Sequence, residues 1–294
     1  MTLSTLARCL LVLILAGAFP ARDAFADAAS AASTFFANVK RLGYETTLEA
    51  SSTVDDRTLV DGLYRLEDKS SGELVGLITE SGDILGDGTG WRWITKDGMQ
   101  ALSPQDAAQL RSEVLQNIQW NDLIKVQYGD GGGRRILLVS AVNCPFCARM
   151  EDSVARHAAS IETTFYVLPM SLAPYLTSAA DRASWRKAAN IWCASDNAAA
   201  WRRFWATKQV ADTEGCKRDE VATFKTSRNF STVMSSIGVH LRGTPAMIRE
   251  DGVVFSYPPE PDERYFSDVL GPKALGEINA PAKVAHLRWL AAPH

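Results

Sequence analysis

Apolar and polar positions along this chain recur with two periods, and the switches between them mark out its elements. In "STFFANVKRLG" (33–43), Phe35, Phe36 and Val39 fall at helical spacing ahead of Gly43, which predicts a short amphipathic helix. "TLVDGLYRLED" (58–68) and "GELVGLITESGDILG" (72–86) read as strands, with Ser81-Gly82-Asp83 as a hairpin turn between Ile78 and Ile84. "WRWIT" (91–95) alternates and puts Trp91 and Trp93 on one face, either a core or a dimer surface. These elements make a small, mostly β unit. A helix follows over 103–118: Ser103 can cap it, Pro104 suits its first position and Asp106 supplies the acid three residues on. Its stripe of Leu110, Val114 and Ile118 can pack on either side of the junction.

Past Asp122 the apolar runs become longer. "LIKVQYG" is a strand, "GDGGGRR" a loop, and "ILLVSAV" (136–142) a continuous run of the kind a buried strand shows. A helix to about Ser160 carries Met150, Val154 and His157, and "TTFYVLP" (163–169) is a further buried strand. A long helical stretch runs from about Ala180 to Ile237. "TPAMIRE", Asp251-Gly252 and "VVFSY" form a hairpin, and Pro261 opens a last helical pattern with Tyr265, Phe266 and Val269. No internal repeat or low-complexity tract interrupts this order.

Met1 to Ala26 follows neither period. Arg8 precedes an apolar stretch from Cys9 to Phe19, and Ala24-Phe25-Ala26 is a small-x-small cleavage site, so this segment reads as a secretory signal. Its apolar stretch is far short of the ~20 residues that span a bilayer. Cleavage would take Cys9 with it and leave Cys144, Cys147, Cys193 and Cys216 in an oxidising compartment, where an even count favours pairs. The formal charge of −3 becomes −4 once the net +1 of Arg8, Arg22 and Asp23 is lost. That mild acidity carries no footprint for nucleic acid. The hydrophobic content of 46% allows a packed core, and the length favours two domains.

The candidate chemistry lies in "NCPFC" at 143–147. Cys144 stands where strand gives way to helix, and unpaired N–H groups there favour a thiolate. Pro145 suits the first helical position, and Cys147 lies one turn in, within reach of Cys144. The pair could pass electrons, with Cys144 attacking a disulfide and Cys147 resolving the product. It could also form a structural bridge or carry a soft metal. A zinc site needs four ligands, and His157, His240, His286 and His294 are too scattered to complete one; no metal and no cofactor is expected. Trp201 and Trp205 are expected in the core, His157 packed, and Met247 within a strand.

"RGTPA" (242–246) supplies the second marker. Taken with the upstream cysteine pair, Thr244-Pro245 fits a cis proline opening a strand, and the order of parts is that of thioredoxin. With "IWCASDNAAAWRRFW", Cys216 and "GVHLRGTPA", residues 123–270 resemble the periplasmic disulfide isomerase family of DsbC and DsbG. The resemblance implies a thioredoxin fold with a helical insertion at about 174–237, preceded by a mostly β dimerisation-type domain (27–102) and a linker helix (103–122). It makes Cys144 the nucleophile, Cys147 the resolving cysteine, Pro145 and Phe146 the active-site dipeptide, and Thr244 and Pro245 the client-binding element. Cys193 and Cys216 would form a structural disulfide worth roughly 3 kcal/mol. The dipeptide is closer to DsbG than to DsbC. Ala141 stands where the family commonly has an acidic residue, and residues 271–294 extend past the resembling region.

The implied protein is a periplasmic homodimer that isomerises or reduces misoxidised exported proteins and is kept reduced by a membrane thiol reductant of the DsbD type. Two alternatives remain at this stage. One is a dithiol oxidase of the same fold, because sequence does not set the redox poise. The other is a chaperone, assembly factor or soft-metal carrier whose dithiol is incidental.

Overall fold

The computed structural model describes residues 27–43, 47–87, 90–130, 133–210, 218–241, 243–249 and 253–271. Helix α1 (Ala28–Arg41) starts earlier than the apolar spacing implied, because the Asp27 side chain caps it through the Ser30 N–H at 2.7 Å. A short α2 (Thr47–Ser51) leads into β1 (Ser52–Asp55), and five more strands follow: β2 (Leu63–Asp68), β3 (Leu74–Thr79), β4 (Ile84–Asp87), β5 (Gly90–Thr95) and β6 (Gly98–Ala101). They pair antiparallel in chain order as a six-stranded meander. The run 58–62, expected as strand, is instead a turn in which the buried Thr58 hydroxyl donates to the Leu63 carbonyl at 2.7 Å. The expected hairpin turn is present, and its tip packs on α1. Gly82 has φ +66°, and a Cβ there would lie 2.6 Å from the Phe35 nitrogen.

Alternation decides what each face of this sheet covers. Tyr64, Leu66, Ile78 and Ile94 face Phe35, Phe36 and Val39 of α1. Leu63, Leu77, Ile84, Trp91 and Trp93 face the other way, into the core that runs through the rest of the chain. The tryptophan pair is therefore core. Helix α3 (Pro104–Gln116) begins with the expected Ser103 cap, and its Leu110 and Val114, with Ile118 beyond it, join that same core.

The second sheet has the order β11-β10-β8-β9-β7, with β7 (Ile124–Gln127), β8 (Arg134–Ala141), β9 (Thr163–Met170), β10 (Ala246–Arg249) and β11 (Val254–Ser256). Strands β8 and β9 are parallel and are joined through α4 (Pro145–Arg156), while β10 and β11 form an antiparallel hairpin on the β8 side. This is the thioredoxin arrangement, with β7 added at the far edge. The long helical stretch is broken into α5 (Ala179–Cys193), α6 (Asn197–Thr207) and α7 (Glu220–Ser236). Asp196 and Asp219 each cap the helix that follows, which explains why one apolar pattern gives three helices. The last helical pattern is a single wide turn, Tyr265–Val269, whose Phe266 stacks on His157 with ring centres 4.0 Å apart. The turn at Asp251-Gly252 lies outside the described residues.

Helix α7 holds the two sheets together. The Arg65 guanidinium on β2 donates to Asn229 Oδ1 at 2.5 Å and pairs with Glu67 at 3.2 Å, and the Trp91 indole donates to the Ser236 carbonyl at 2.9 Å. Replacing Arg65 with alanine would leave the buried Asn229 oxygen without this donor and the Glu67 carboxylate with Lys225 at 4.0 Å. The expected cost is about 1–3 kcal/mol, seen as a lower denaturation midpoint together with faster amide hydrogen exchange in β2 and α7. Unchanged exchange in both elements would show that this contact does not hold the sheets together.

Candidate active site

Strand β8 ends at Ala141, and the chain turns through Asn143 into α4, so the two cysteines sit at the C-terminal end of the central strand of the second sheet. Asn143 Oδ1 accepts the Leu172 N–H at 2.8 Å and ties the β9–α5 loop to this turn. Cys144 is the N-cap of α4, and its sulfur accepts the Cys147 N–H at 3.4 Å. Pro145 takes the first helical position, where no N–H is needed. Cys147 points inward, and its sulfur accepts the Ala141 N–H at 3.4 Å. Both thiols are free and both are buried, Cys144 with 3% of its surface exposed. Phe146 between them is 57% exposed, with the Arg149 guanidinium 4.4 Å from its ring centre.

The segment before β10 completes the site. The Thr244-Pro245 peptide bond is cis, and the Thr244 carbonyl accepts from the Cys144 thiol at 3.3 Å. Ala141, Met170 and Trp205 form an apolar wall around the two sulfurs. The thiols differ in character as a result. Burial by itself raises the Cys144 pKa, but the Thr244 side chain and the N–H groups of Cys147 and Phe146 outweigh it and carry the value below that of an ordinary thiol. For Cys147 burial dominates, and its thiol is pushed up to about 12. The arrangement supplies one sulfur ready to ionise and one held as a thiol directly behind it.

The structure thus brings Cys144, Cys147, Pro145, Phe146, Thr244 and Pro245 together. Cys193, at the end of α5, is disulfide-bonded and lies apart from them; Cys216 falls outside the described residues. Among the described residues no three of His, Cys, Asp or Glu cluster as metal ligands. No helix among them is long and apolar enough to cross a membrane. His157 and Met247 are packed as expected. Trp201 is core, but Trp205 is half-buried against the thiols, which its position one turn after Trp201 did not disclose. Reading the sequence also missed Glu151. This carboxyl, one turn beyond Cys147, is buried and accepts the Trp201 indole N–H at 3.1 Å. In sequence it looks like a surface acid on a charged helix.

Comparison with known proteins adds a short list of similar structures. No family model and no curated relative matches this chain. A disulfide interchange protein from Neisseria gonorrhoeae is 21% identical, with 52% of this chain and 99% of that one aligned at a TM-score of 0.38. The catalytic domain of Proteus mirabilis ScsC is 15% identical, covering 51% and 87% of the two chains at 0.34. Helicobacter pylori DsbG is 14% identical, covering 67% and 91% at 0.31. By its own strand order and connections, the region from β7 to the Tyr265–Val269 turn is a thioredoxin fold with two free cysteines at the start of its first helix.

Proposed function

We propose that this protein is an exported thiol-disulfide oxidoreductase that acts on misoxidised periplasmic proteins, chiefly as a disulfide isomerase and reductase. The observation that carries this reading is the unlike pair of thiols: Cys144 with lowered pKa under the Thr244 carbonyl, and Cys147 raised behind it. The Cys144 thiolate attacks a client disulfide, forming a Cys144–client bond and releasing one client thiolate. A second client thiolate can then displace Cys144, which isomerises the client and returns the enzyme unchanged. Alternatively Cys147 attacks Cys144, which leaves the client reduced and the enzyme oxidised. That second exit consumes two electrons, so a membrane thiol reductant is part of the proposal. The extended client chain pairs with backbone at Thr244, beside exposed Phe146. The proposed assembly is a homodimer. Both faces of the first sheet are covered within the chain, which leaves its edges, β1 and β6, for the second copy.

A dithiol oxidase is the second reading, and the lowered pKa of Cys144 favours it, because stabilising the reduced form makes the disulfide more oxidising. Refolding separates the two. A scrambled multi-disulfide protein incubated in glutathione buffer with catalytic protein should regain activity, and Cys144→Ala should give no more than buffer. Faster oxidation of a reduced client, with no rescue of the scrambled one, would replace the isomerase with the oxidase. Equal rescue by both proteins would remove the dithiol from the activity.

A further inference from the structure

The dithiol mechanism above makes no use of Glu151, yet this residue lies one helical turn from Cys147 on the same buried face of α4. Cys147 and Glu151 are four residues apart on the buried face of α4, where Cβ atoms stand about 5–6 Å apart. Side chains on a helix lean toward its N-terminus, so Glu151 leans toward the turn that carries Cys147. Its surroundings are Val126 of β7 and Tyr128 just after it, Leu138, Phe165 and Val167 of the same sheet, and Trp201 of α6, packed with no room for a water. Trp201 meets Trp205 edge to face at 5.5 Å, and Trp205 packs on the cysteines. The charged and titratable groups facing Glu151 are Arg202 and Lys208 at α6, Tyr128 after β7 and Tyr257 after β11. Arg202 and Lys208 are exposed and donate no hydrogen bond to the carboxyl.

We propose that the charge on Glu151 decides how a Cys144 mixed disulfide is resolved. The inference rests on the dithiol reading given above. With Glu151 neutral, the buried face of α4 behind Cys147 carries no charge, and Cys147 has only its own burial to overcome when it ionises. Cys147 releases its proton to solvent base, its sulfur bonds to Cys144 Sγ, the Cys144–client bond breaks, and the electron pair leaves on the client thiolate. The enzyme ends as the 144–147 disulfide and the client has gained two electrons. With Glu151 ionised, a second negative charge one turn away in a dry pocket is opposed, and Cys147 stays a thiol. The mixed disulfide then persists until a client thiolate displaces Cys144, with no net electron transfer. Glu151 is in this sense a positioning residue that partitions reduction from isomerisation. Burial holds the carboxyl near 8, so the switch falls just above neutral pH.

The test mixes the reduced protein with oxidised glutathione, quenches with acid and follows two species by mass: the Cys144–glutathione adduct and the 144–147 disulfide. In the wild type, conversion of adduct to disulfide should lag above pH 8 behind that in Glu151→Gln, by roughly tenfold for a charge this close. Below pH 7 the two should agree. Gln keeps an acceptor for the Trp201 indole and the same shape, so folding is preserved. Trp201→Phe removes the hydrogen bond that favours the carboxylate and should move the lag to higher pH. Identical pH profiles for wild type and Glu151→Gln overturn the inference. So does a Glu151→Gln protein slower than wild type at every pH, because the carboxyl would then be taking the Cys147 proton itself. A wild type that forms neither species overturns the dithiol reading and the inference with it.

Discussion

Toward a client with no second thiol to displace Cys144, changing Cys147 to alanine should turn this protein from a catalyst into a trap. Attack on a client needs only Cys144, which keeps both its contact to the Thr244 carbonyl and the Cys147 backbone N–H at the start of α4 when the Cys147 side chain is removed. Release through reduction needs Cys147, held directly behind Cys144 by the Ala141 N–H. A well-placed internal nucleophile acts as if present at about 10⁵ M or more. That advantage over millimolar external thiol survives even though most of Cys147 is kept protonated by burial. The covalent adduct should therefore live at least about a thousand times longer in Cys147→Ala. Non-reducing electrophoresis and mass analysis after acid quench should show a stable client adduct with Cys147→Ala, a transient one with wild type and none with Cys144→Ala. Adducts of equal lifetime in wild type and Cys147→Ala would show that Cys147 does not resolve.

Replacing Glu151 with glutamine should stabilise the fold, by an amount that depends on pH. The carboxyl is buried in a pocket with no room for a water and has a neutral hydrogen-bond donor, so its charged form is strongly disfavoured in the native state and its pKa is pushed up to about 8. The ordinary value is 4.5. Below that value both folded and unfolded chains carry a neutral acid, and the group costs nothing electrostatically. As the pH rises from 4.5, the unfolded chain ionises while the folded one does not, and stability is lost steadily until the folded carboxyl also ionises near 8. The deficit is on the order of 3 kcal/mol at pH 7 and tends to roughly 5 kcal/mol well above pH 8. Glutamine cannot ionise and should escape it. Chemical denaturation of both proteins should agree near pH 4 and diverge in favour of Glu151→Gln as the pH rises. A constant difference from pH 4 to 9 would show that the native carboxyl titrates normally.

Much of the reactive turn was legible because its signals are local. The Ser103 cap with Pro104, the Cys144-Pro145-Phe146-Cys147 helix start and the Ser81-Gly82-Asp83 turn each depend on backbone groups within four residues, and all three stand as read. Strands β1 and β6 escaped notice for the opposite reason. "STVD" and "GMQA" are short and half polar, and they are strands because β2 and β5 offer a free edge. The run 180–237 read as continuous helix because its apolar spacing barely changes, while the breaks are set by where Asp196 and Asp219 can cap.

Taken alone, the sequence determined most of the order of elements and the placing of a dithiol at a helix start, since these rest on local backbone chemistry, while the Thr244-Pro245 step could be read only together with the distant cysteine pair. The tertiary structure decided which charges lose water. Nothing in the spacing of Arg65 or Glu151 distinguishes them from exposed neighbours on the same elements. Only when α7 closes on the first sheet, and α6 on α4, does one become the clamp between the sheets and the other a dry carboxyl behind Cys147. Burial is a property of the packed whole, and ionisation follows burial.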